Sequence, residues 1–218
     1  MKNFKSETDE AIPNLGAILP VVDTLEWVKR LTKVDGVTDI QLRIKNESDP
    51  EIIQTIVNKA QSICSEMNVR LWINDYWEAA MKANCFGVHM GQEDLKRCVD
   101  AGALETLRDS NLALGISTHS FAELAVALGV KPSYISLGPI FSTSSKNVAF
   151  DPQGLETVQK WRSLVPEDIP LVAIGGIGDA KLTKLVKDAG ADCVAVIGAL
   201  TKADDVQYAV NSLVQAMR

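Results

Sequence analysis

Two cations in the segment QLRIK are the first candidates for chemistry. Gln41, Arg43 and Lys45 alternate with apolar residues, and the period of two along a strand places all three on one face. If that face lines the interior, an anionic ligand is the natural counterion, because an unpaired buried charge is very costly. The alternative is a solvated strand face with no ligand.

Asp75 and Asp94 are candidate ligands for a divalent cation. Each follows an apolar run, in LWIND and in GVHMGQED, and precedes a helical pattern. Aspartate at that position is also a common helix N-cap, so capping is the competing interpretation for either residue alone. Adjacent parallel strands lie about 4.8 Å apart, and two carboxylates at that distance suit Mg²⁺, which takes few protein oxygens.

A hydroxyl-rich loop and two glycine-containing strand ends indicate a phosphate site. The strand YISLGPI is followed by four hydroxyl residues and one lysine: Ser142, Thr143, Ser144, Ser145 and Lys146. Small hydroxyl side chains leave backbone N–H groups accessible, and a lysine adds charge. Gly175-Gly176 and Ile197-Gly198 end two later strands, where glycine lets the backbone approach a ligand. Taken singly, each segment fits an ordinary loop or turn equally well.

The two histidines give weaker evidence of a catalytic role. Ser117 and His119 are near enough in sequence for a nucleophile–base pair, but no orienting acid is evident nearby, which disfavours acyl transfer. His89 lies between Val88 and Met90 within a strand pattern. We interpret it as an interior packing residue.

Eight strand patterns alternate with helical patterns and would position these residues. The strands are predicted at 17–22, 39–46, 69–75, 86–91, 112–119, 134–140, 169–177 and 193–200. Five of the helices are predicted to start at a capping residue: Asp23, Asp49, Ser120, Asp151 and Asp179. Such alternation indicates parallel strands with right-handed crossovers, and the count is that of a single (β/α)₈ TIM barrel. An open doubly wound sheet is the second choice. We expect a polar leader over residues 1–16 and the barrel over residues 17–218.

Composition narrows the class of protein. The chain has 218 residues, 46% of them hydrophobic, and a net charge of -6, which fits one globular domain and disfavours nucleic-acid binding. No signal peptide or membrane span is predicted, and four well-separated cysteines favour a reducing compartment. We therefore expect a cytoplasmic protein. The oligomeric state stays open, a homo-oligomer included.

The motifs QLRIK, INDYW, GVHMGQEDL, GISTH, LGPIFSTSSK, AIGGI and VIGA together resemble the thiamine-phosphate synthase family. The resemblance runs from about residue 17 to residue 200, and INDYW followed by GVHMGQEDL is its most specific part. It implies a (β/α)₈ barrel that joins 4-amino-5-hydroxymethyl-2-methylpyrimidine diphosphate to hydroxyethylthiazole phosphate. The products would be thiamine phosphate and pyrophosphate, with Mg²⁺ as cofactor.

The same resemblance implies a role for each matched residue. The pyrimidine diphosphate would be held by Gln41, Leu42, Arg43, Ile44, Lys45, Asn74, Ser117 and Lys146. The thiazole phosphate would be held by Thr143, Ser144, Ser145, Gly176, Ile197 and Gly198. Asp75 and Asp94 would bind Mg²⁺, and the catalytic residues would be Arg43, Lys45, Ser117 and Lys146.

Two positions depart from the family pattern. Ser145 stands where the family usually has threonine, so a hydroxyl remains. Gly198 stands where the family usually has serine, and losing one hydrogen bond would weaken thiazole-phosphate binding by about 1 kcal/mol.

Two other functions stay open at this point. A related barrel could bind or tautomerise a thiazole phosphate without coupling, using His119 as an acid or base. A non-catalytic binding protein could have kept the pocket, an alternative that only the Gly198 departure favours.

Overall fold

The computed structural model describes Phe4, residues 15–143 and residues 151–218. Its strands are β1 (Ile18–Val22), β2 (Asp39–Leu42), β3 (Arg70–Asn74), β4 (Gly87–Met90), β5 (Ala113–Thr118), β6 (Tyr134–Leu137), β7 (Leu171–Ile174) and β8 (Cys193–Val196). All pair in parallel with their neighbours in chain order, and β1 also pairs with β8, so the sheet is a closed barrel. The predicted fold class is confirmed.

Helices surround the barrel. They are α1 (Leu25–Leu31), α2 (Pro50–Glu66), α3 (Trp77–Lys82), α4 (Gln92–Asp100), α5 (Leu104–Asp109), α6 (Phe121–Val130), α7 (Gly154–Leu164), α8 (Ala180–Asp188), α9 (Gly198–Thr201) and α10 (Val206–Ala216). Two of them, α5 and α9, are additional to the predicted pattern. The observed strands are shorter than predicted because residues at their ends leave the ladder to form the connections.

Side-chain caps start several helices as predicted. Asp49, Ser120 and Asp179 each accept a hydrogen bond from a backbone N–H in the first turn of α2, α6 and α8. Such a bond satisfies one of the donors that a helix start leaves without a partner.

Two predicted caps were wrong. The cap of α1 is Thr24, whose hydroxyl accepts from Trp27 N at 3.3 Å, whereas the carboxylate of Asp23 pairs with Lys45. Asp151 lies before the start of α7, which follows Gln153 without a side-chain cap.

Two apolar layers result from the alternation of side chains along each strand. One side faces the helices and forms the larger core, with β2 contributing Ile40 and Leu42. The other side faces the barrel interior, where Leu19, Trp72 and Tyr134 belong to a smaller cluster. The site residues therefore depend on the interior-facing register.

Glycines make room for the two large interior aromatics. A Cβ on Gly87 would lie 2.6 Å from the Trp72 ring, and one on Gly115 would lie 2.1 Å from the Tyr134 ring. The rings of Trp72 and Tyr134 meet edge to face with centroids 5.0 Å apart. This pair fills the barrel below the polar residues, as a packed interior requires.

A buried carboxylate holds the lower part of the barrel together. Asp39 is fully buried and accepts hydrogen bonds from Trp72 Nε1 at 2.9 Å, Thr38 Oγ1 at 2.8 Å and Gly16 N at 3.1 Å. Arg70 Nη2 lies 2.5 Å from the same carboxylate. The pairing and the three hydrogen bonds offset the cost of removing this charge from water.

Most of the predicted leader lies outside the described residues. Phe4 is an exception: it is buried, donates from its backbone N–H to Lys131 O at 3.3 Å, and packs beneath the Arg108 guanidinium. This residue is therefore part of the packed domain. In the described part of the chain, no helix combines the length and apolarity needed to span a membrane.

We expect Gly115→Ala to lower the free energy of unfolding by about 1–3 kcal/mol, because overpacking displaces the Tyr134 ring. Gly129→Ala is the matched control, since a Cβ there meets nothing within 4 Å and alanine favours the α6 helix by up to about 1 kcal/mol. Urea denaturation of both variants measures the difference. Equal stability of the two would contradict this account of the interior packing.

Candidate active site

A cavity of about 740 Å³ opens at the carboxyl ends of the strands, within the usual size for small-molecule sites. Ten of the predicted site residues line it: Gln41, Arg43, Asn74, Asp75, Asp94, Ser117, Thr143, Gly176, Ile197 and Gly198. Another depression of about 690 Å³ lies on the outer surface near α1 and the start of α10. It is open to solvent and gathers none of the predicted residues, so we place the site in the barrel mouth.

Other predicted residues lie elsewhere. Leu42 is buried in the core between barrel and helices, and Ile44 packs against the same core, so neither side chain faces the cavity. The ladder of β2 ends at Leu42, and Lys45 therefore does not continue the inward alternation. Its ammonium lies 2.8 Å from the Asp23 carboxylate on the rim. Ser144, Ser145 and Lys146 lie outside the described residues.

The Asp75 and Asp94 carboxyl groups meet at the ends of β3 and β4. Asp75 adopts a left-handed backbone conformation with φ of 69°, which aspartate tolerates better than most residues. Asn74 Nδ2 donates to Asp75 Oδ1 at 2.8 Å, and the Gly91 backbone N–H bonds to the same carboxylate. Asp94 lies in the first turn of α4, close enough to Asp75 to raise its pKa, and pairs with Arg97 Nη2 one turn further on.

Neither aspartate caps a helix. The N-cap of α3 is Tyr76 and that of α4 is Gly91, and no side-chain cap bond is present at either position. The competing interpretation of Asp75 and Asp94 as caps is therefore wrong. The Asp75 carboxylate lies next to Asp94 in the cavity wall, and Asp94 also pairs with Arg97 Nη2 in α4.

The titration of Asp75 is shifted by its surroundings. Burial, followed by repulsion from Asp94 and a hydrogen bond with it, raises the pKa of Asp75 from 3.8 to about 7. Arg43 and the Gly91 N–H act in the opposite direction. Loss of the Asp75 proton places a second negative charge beside Asp94, which pairs with Arg97, and a bound cation would offset the remaining repulsion.

The pair fits a magnesium ion chemically. Mg²⁺ takes oxygen ligands and commonly binds one or two carboxylates together with substrate phosphates and water. Within the described ranges, no group of three or more His, Cys, Asp or Glu side chains converges on one point. Asp75 and Asp94 would then be the protein ligands, and the arrangement leaves the remaining positions to substrate and water.

A buried chain of hydrogen bonds orients Ser117 in the cavity wall. Gln41 Nε2 donates to the Tyr134 hydroxyl at 3.4 Å, His89 Nδ1 lies 2.7 Å from that hydroxyl, and His89 Nε2 lies 2.8 Å from Ser117 Oγ. Burial raises the pKa of Tyr134 well above its usual value, so its O–H remains, and we assign it as the donor to Nδ1. We infer that Nε2–H donates to Ser117, whose own proton can point to a ligand.

The Ser117–His119 pair, which was disfavoured from the sequence, does not form. Ser117 contacts His89, whereas His119 Nδ1 lies 2.9 Å from Glu123 Oε2, which also accepts from the His119 backbone N–H at 2.7 Å. The interpretation of His89 as a buried interior residue is confirmed.

Backbone dominates the side of the cavity formed by β7 and β8. Gly176 has φ of 71°, and a Cβ there would lie 2.7 Å from Ser142 O and 2.6 Å from Phe141 Cβ. Only glycine therefore lets this loop pack against the segment after β6, where Thr143 lines the cavity. The short helix α9 starts at Gly198, and a phosphate site next to such a helix is common in this fold.

Several lining residues were not predicted. Gln92, Glu93, Glu123 and Lys202 face the cavity, and Tyr134 supports it from below. Gln92 and Glu93 directly precede Asp94 in GQED, so their position near the site could have been predicted from the sequence. The register across neighbouring strands, which joins Tyr134 to His89, could not be deduced from spacing alone.

The closed barrel and its polar mouth define a (β/α)₈-barrel protein with an enzyme-like cavity. The family model described as thiamine monophosphate synthase matches residues 17–200. A thiamine-phosphate synthase of Proteus mirabilis is 44% identical over 198 residues, which cover 91% of this chain and 88% of that protein. One from Yersinia pestis is 44% identical over 196 residues, covering 90% and 87%.

A solved structure of a protein with a similar name also resembles this chain in fold. Thiamine phosphate pyrophosphorylase from Pyrococcus furiosus superposes with a TM-score of 0.74 and 27% identity, covering 92% of this chain and 95% of that one. The chain belongs to the thiamine monophosphate synthase family. It is a transferase of thiamine biosynthesis.

We expect Asp75→Asn to stabilise the metal-free protein at pH 8 by about 1–2 kcal/mol and to change little at pH 5. Between pH 3.8 and about 7, the folded wild type binds more protons than the unfolded chain. Its free energy of unfolding therefore falls as pH rises through this window, and asparagine removes that loss.

Urea denaturation in EDTA at both pH values measures the effect. Asp168→Asn, at an exposed loop position, is the control and should change stability by less than about 0.5 kcal/mol. An Asp75→Asn variant that is less stable than the wild type at pH 8 would show that the two carboxyl groups do not repel each other.

Proposed function

We infer that this protein joins 4-amino-5-hydroxymethyl-2-methylpyrimidine diphosphate to hydroxyethylthiazole phosphate in the cavity at the barrel mouth. The C–O bond to pyrophosphate breaks, a bond from the thiazole nitrogen to the same carbon forms, and thiamine phosphate and pyrophosphate leave. Membership of the family supports this reaction. The single structural observation that carries the site assignment is the contact of Asp75 with Asp94, facing Arg43 across one cavity.

The pyrimidine diphosphate belongs on the side formed by β2 to β5. Arg43 lines the cavity and can donate several N–H groups to the diphosphate oxygens. The Ser117 hydroxyl is oriented by His89 to donate in the same direction. Asn74 acts through Asp75, since its side-chain N–H groups bond to that carboxylate and to His89 O.

Lys45 is a second cation for the diphosphate. Its ion pair with Asp23 is well exposed, with side-chain exposures of 43% and 41%, and such pairs contribute less than about 1 kcal/mol. The side chain can therefore exchange Asp23 for a more highly charged phosphate. We assign Lys146 the same kind of role from the sequence resemblance, together with Ser144 and Ser145 on the thiazole phosphate.

Asp75 and Asp94 would hold Mg²⁺ against the diphosphate. When bound, the ion supplies positive charge that stabilises the leaving pyrophosphate. Arg43 adds to that stabilisation without moving a proton, since a guanidinium stays charged throughout. The electron-rich aminopyrimidine can carry a developing positive charge, so the reaction needs no protein nucleophile.

The thiazole phosphate belongs on the opposite side of the cavity. Gly176, Ile197 and Gly198 place backbone at the ends of β7 and β8, and Thr143 adds a hydroxyl from the segment after β6. Backbone N–H groups at such loops are suited to phosphate. A cytoplasmic location is consistent with four cysteines that all lie in the described part, buried and unpaired.

We expect Asp75→Asn and Asp94→Asn each to reduce pyrophosphate release by at least about 10²-fold, because removing one carboxylate weakens charge stabilisation by several kcal/mol. Asparagine keeps the side-chain shape and tolerates the backbone at position 75. The assay mixes purified protein with both substrates and Mg²⁺.

Asp168→Asn should retain the wild-type rate in the same assay. Wild-type turnover in either cavity variant would remove the carboxylate pair from the mechanism. No turnover by the wild-type protein would reject the reaction itself.

A further inference from the structure

The two substrates bring anionic groups to opposite sides of one cavity. The positively charged side chains of the described residues are distributed unevenly between those two sides. Arg43 serves the β2–β5 side. On the other side, the lining between 174 and 178 and between 195 and 199 carries no charged side chain. Lys202 is the lysine that lines the cavity next to these segments.

Local helix geometry explains why Lys202 faces the cavity. The helix α9 begins directly after β8, and the Lys202 backbone N–H donates to Gly198 O at 3.2 Å. One helical turn therefore separates the two residues, and positions one turn apart lie on the same side of a helix. Gly198 and Lys202 accordingly line the same part of the cavity.

The Lys202 ammonium is available to a ligand. Among the described residues, no carboxylate lies within 4 Å of it. The nearby Asp205 is engaged as the N-cap of α10, where it accepts from Tyr208 N at 2.9 Å. Gly198 offers no side chain of its own, so the β8 end reaches the ligand through its backbone and through this lysine.

We propose that Lys202 is a specificity-determining residue that binds the phosphate of the thiazole substrate. The inference rests on the proposed function, since that reaction brings a phosphate monoester to this side. A flexible ammonium with three donors suits a partly solvated phosphate. Lys202 thereby distinguishes the phosphorylated thiazole from its free alcohol.

The test compares Lys202→Met and Lys202→Arg with Lys59→Met, a control at an exposed position of α2. We expect Lys202→Met to raise the KM for hydroxyethylthiazole phosphate about 5- to 20-fold, the low end for one hydrogen bond to a charged group, because Lys202 is exposed to solvent. The KM for the pyrimidine diphosphate should change less than twofold. Lys202→Arg should recover most of the loss, and Lys59→Met should match the wild type.

The proposal is overturned if Lys202→Met leaves the thiazole-phosphate KM unchanged, or raises both KM values equally. If the wild-type protein has no turnover, the proposed function fails, and calorimetry with hydroxyethylthiazole phosphate still tests Lys202. Binding that weakens 5- to 20-fold in Lys202→Met supports it. Equal binding by both proteins, or no binding by the wild type, overturns it.

Discussion

Two like-charged carboxyl groups held in contact are the constraint on which the site depends. Asp75 lies next to Asp94 with its backbone in a left-handed conformation immediately after β3. Burial and repulsion from Asp94 raise the pKa of Asp75 to about 7, although Arg43 and the Gly91 N–H act in the opposite direction. The barrel therefore sustains a locally unfavourable arrangement, which is common where function rather than stability selects the residues.

The barrel interior keeps this arrangement in place. Small and large side chains alternate between neighbouring strands, so that Gly87 and Gly115 accept the rings of Trp72 and Tyr134. The Tyr134 hydroxyl then bonds to His89, and His89 bonds to Ser117. The packed layer below the cavity is thereby linked by direct contacts to the Ser117 hydroxyl in the cavity wall. A substitution that displaces the Tyr134 ring would therefore also displace this hydroxyl.

The sequence predicts the class of fold well and the site in part. Strand and helix order follows from hydrophobic patterning, and the inward direction of Gln41 and Arg43 follows from a period of two. That period fails at Lys45 because β2 ends at Leu42, a boundary set by pairing with neighbouring strands. Capping also misled for Asp23, since a favourable residue at Thr24 competes for the same helix start.

Other features depend on contacts between distant segments. The Gln41–Tyr134–His89–Ser117 chain joins four strands, and local spacing carries no information about such a register. The choice between capping and cation binding for Asp75 and Asp94 likewise requires their relative position. The most direct measurement is anomalous diffraction from crystals grown with Mn²⁺ and the pyrimidine diphosphate. The account predicts one metal peak bound to an oxygen of each carboxylate, and a peak elsewhere in a diphosphate-bound crystal would contradict it.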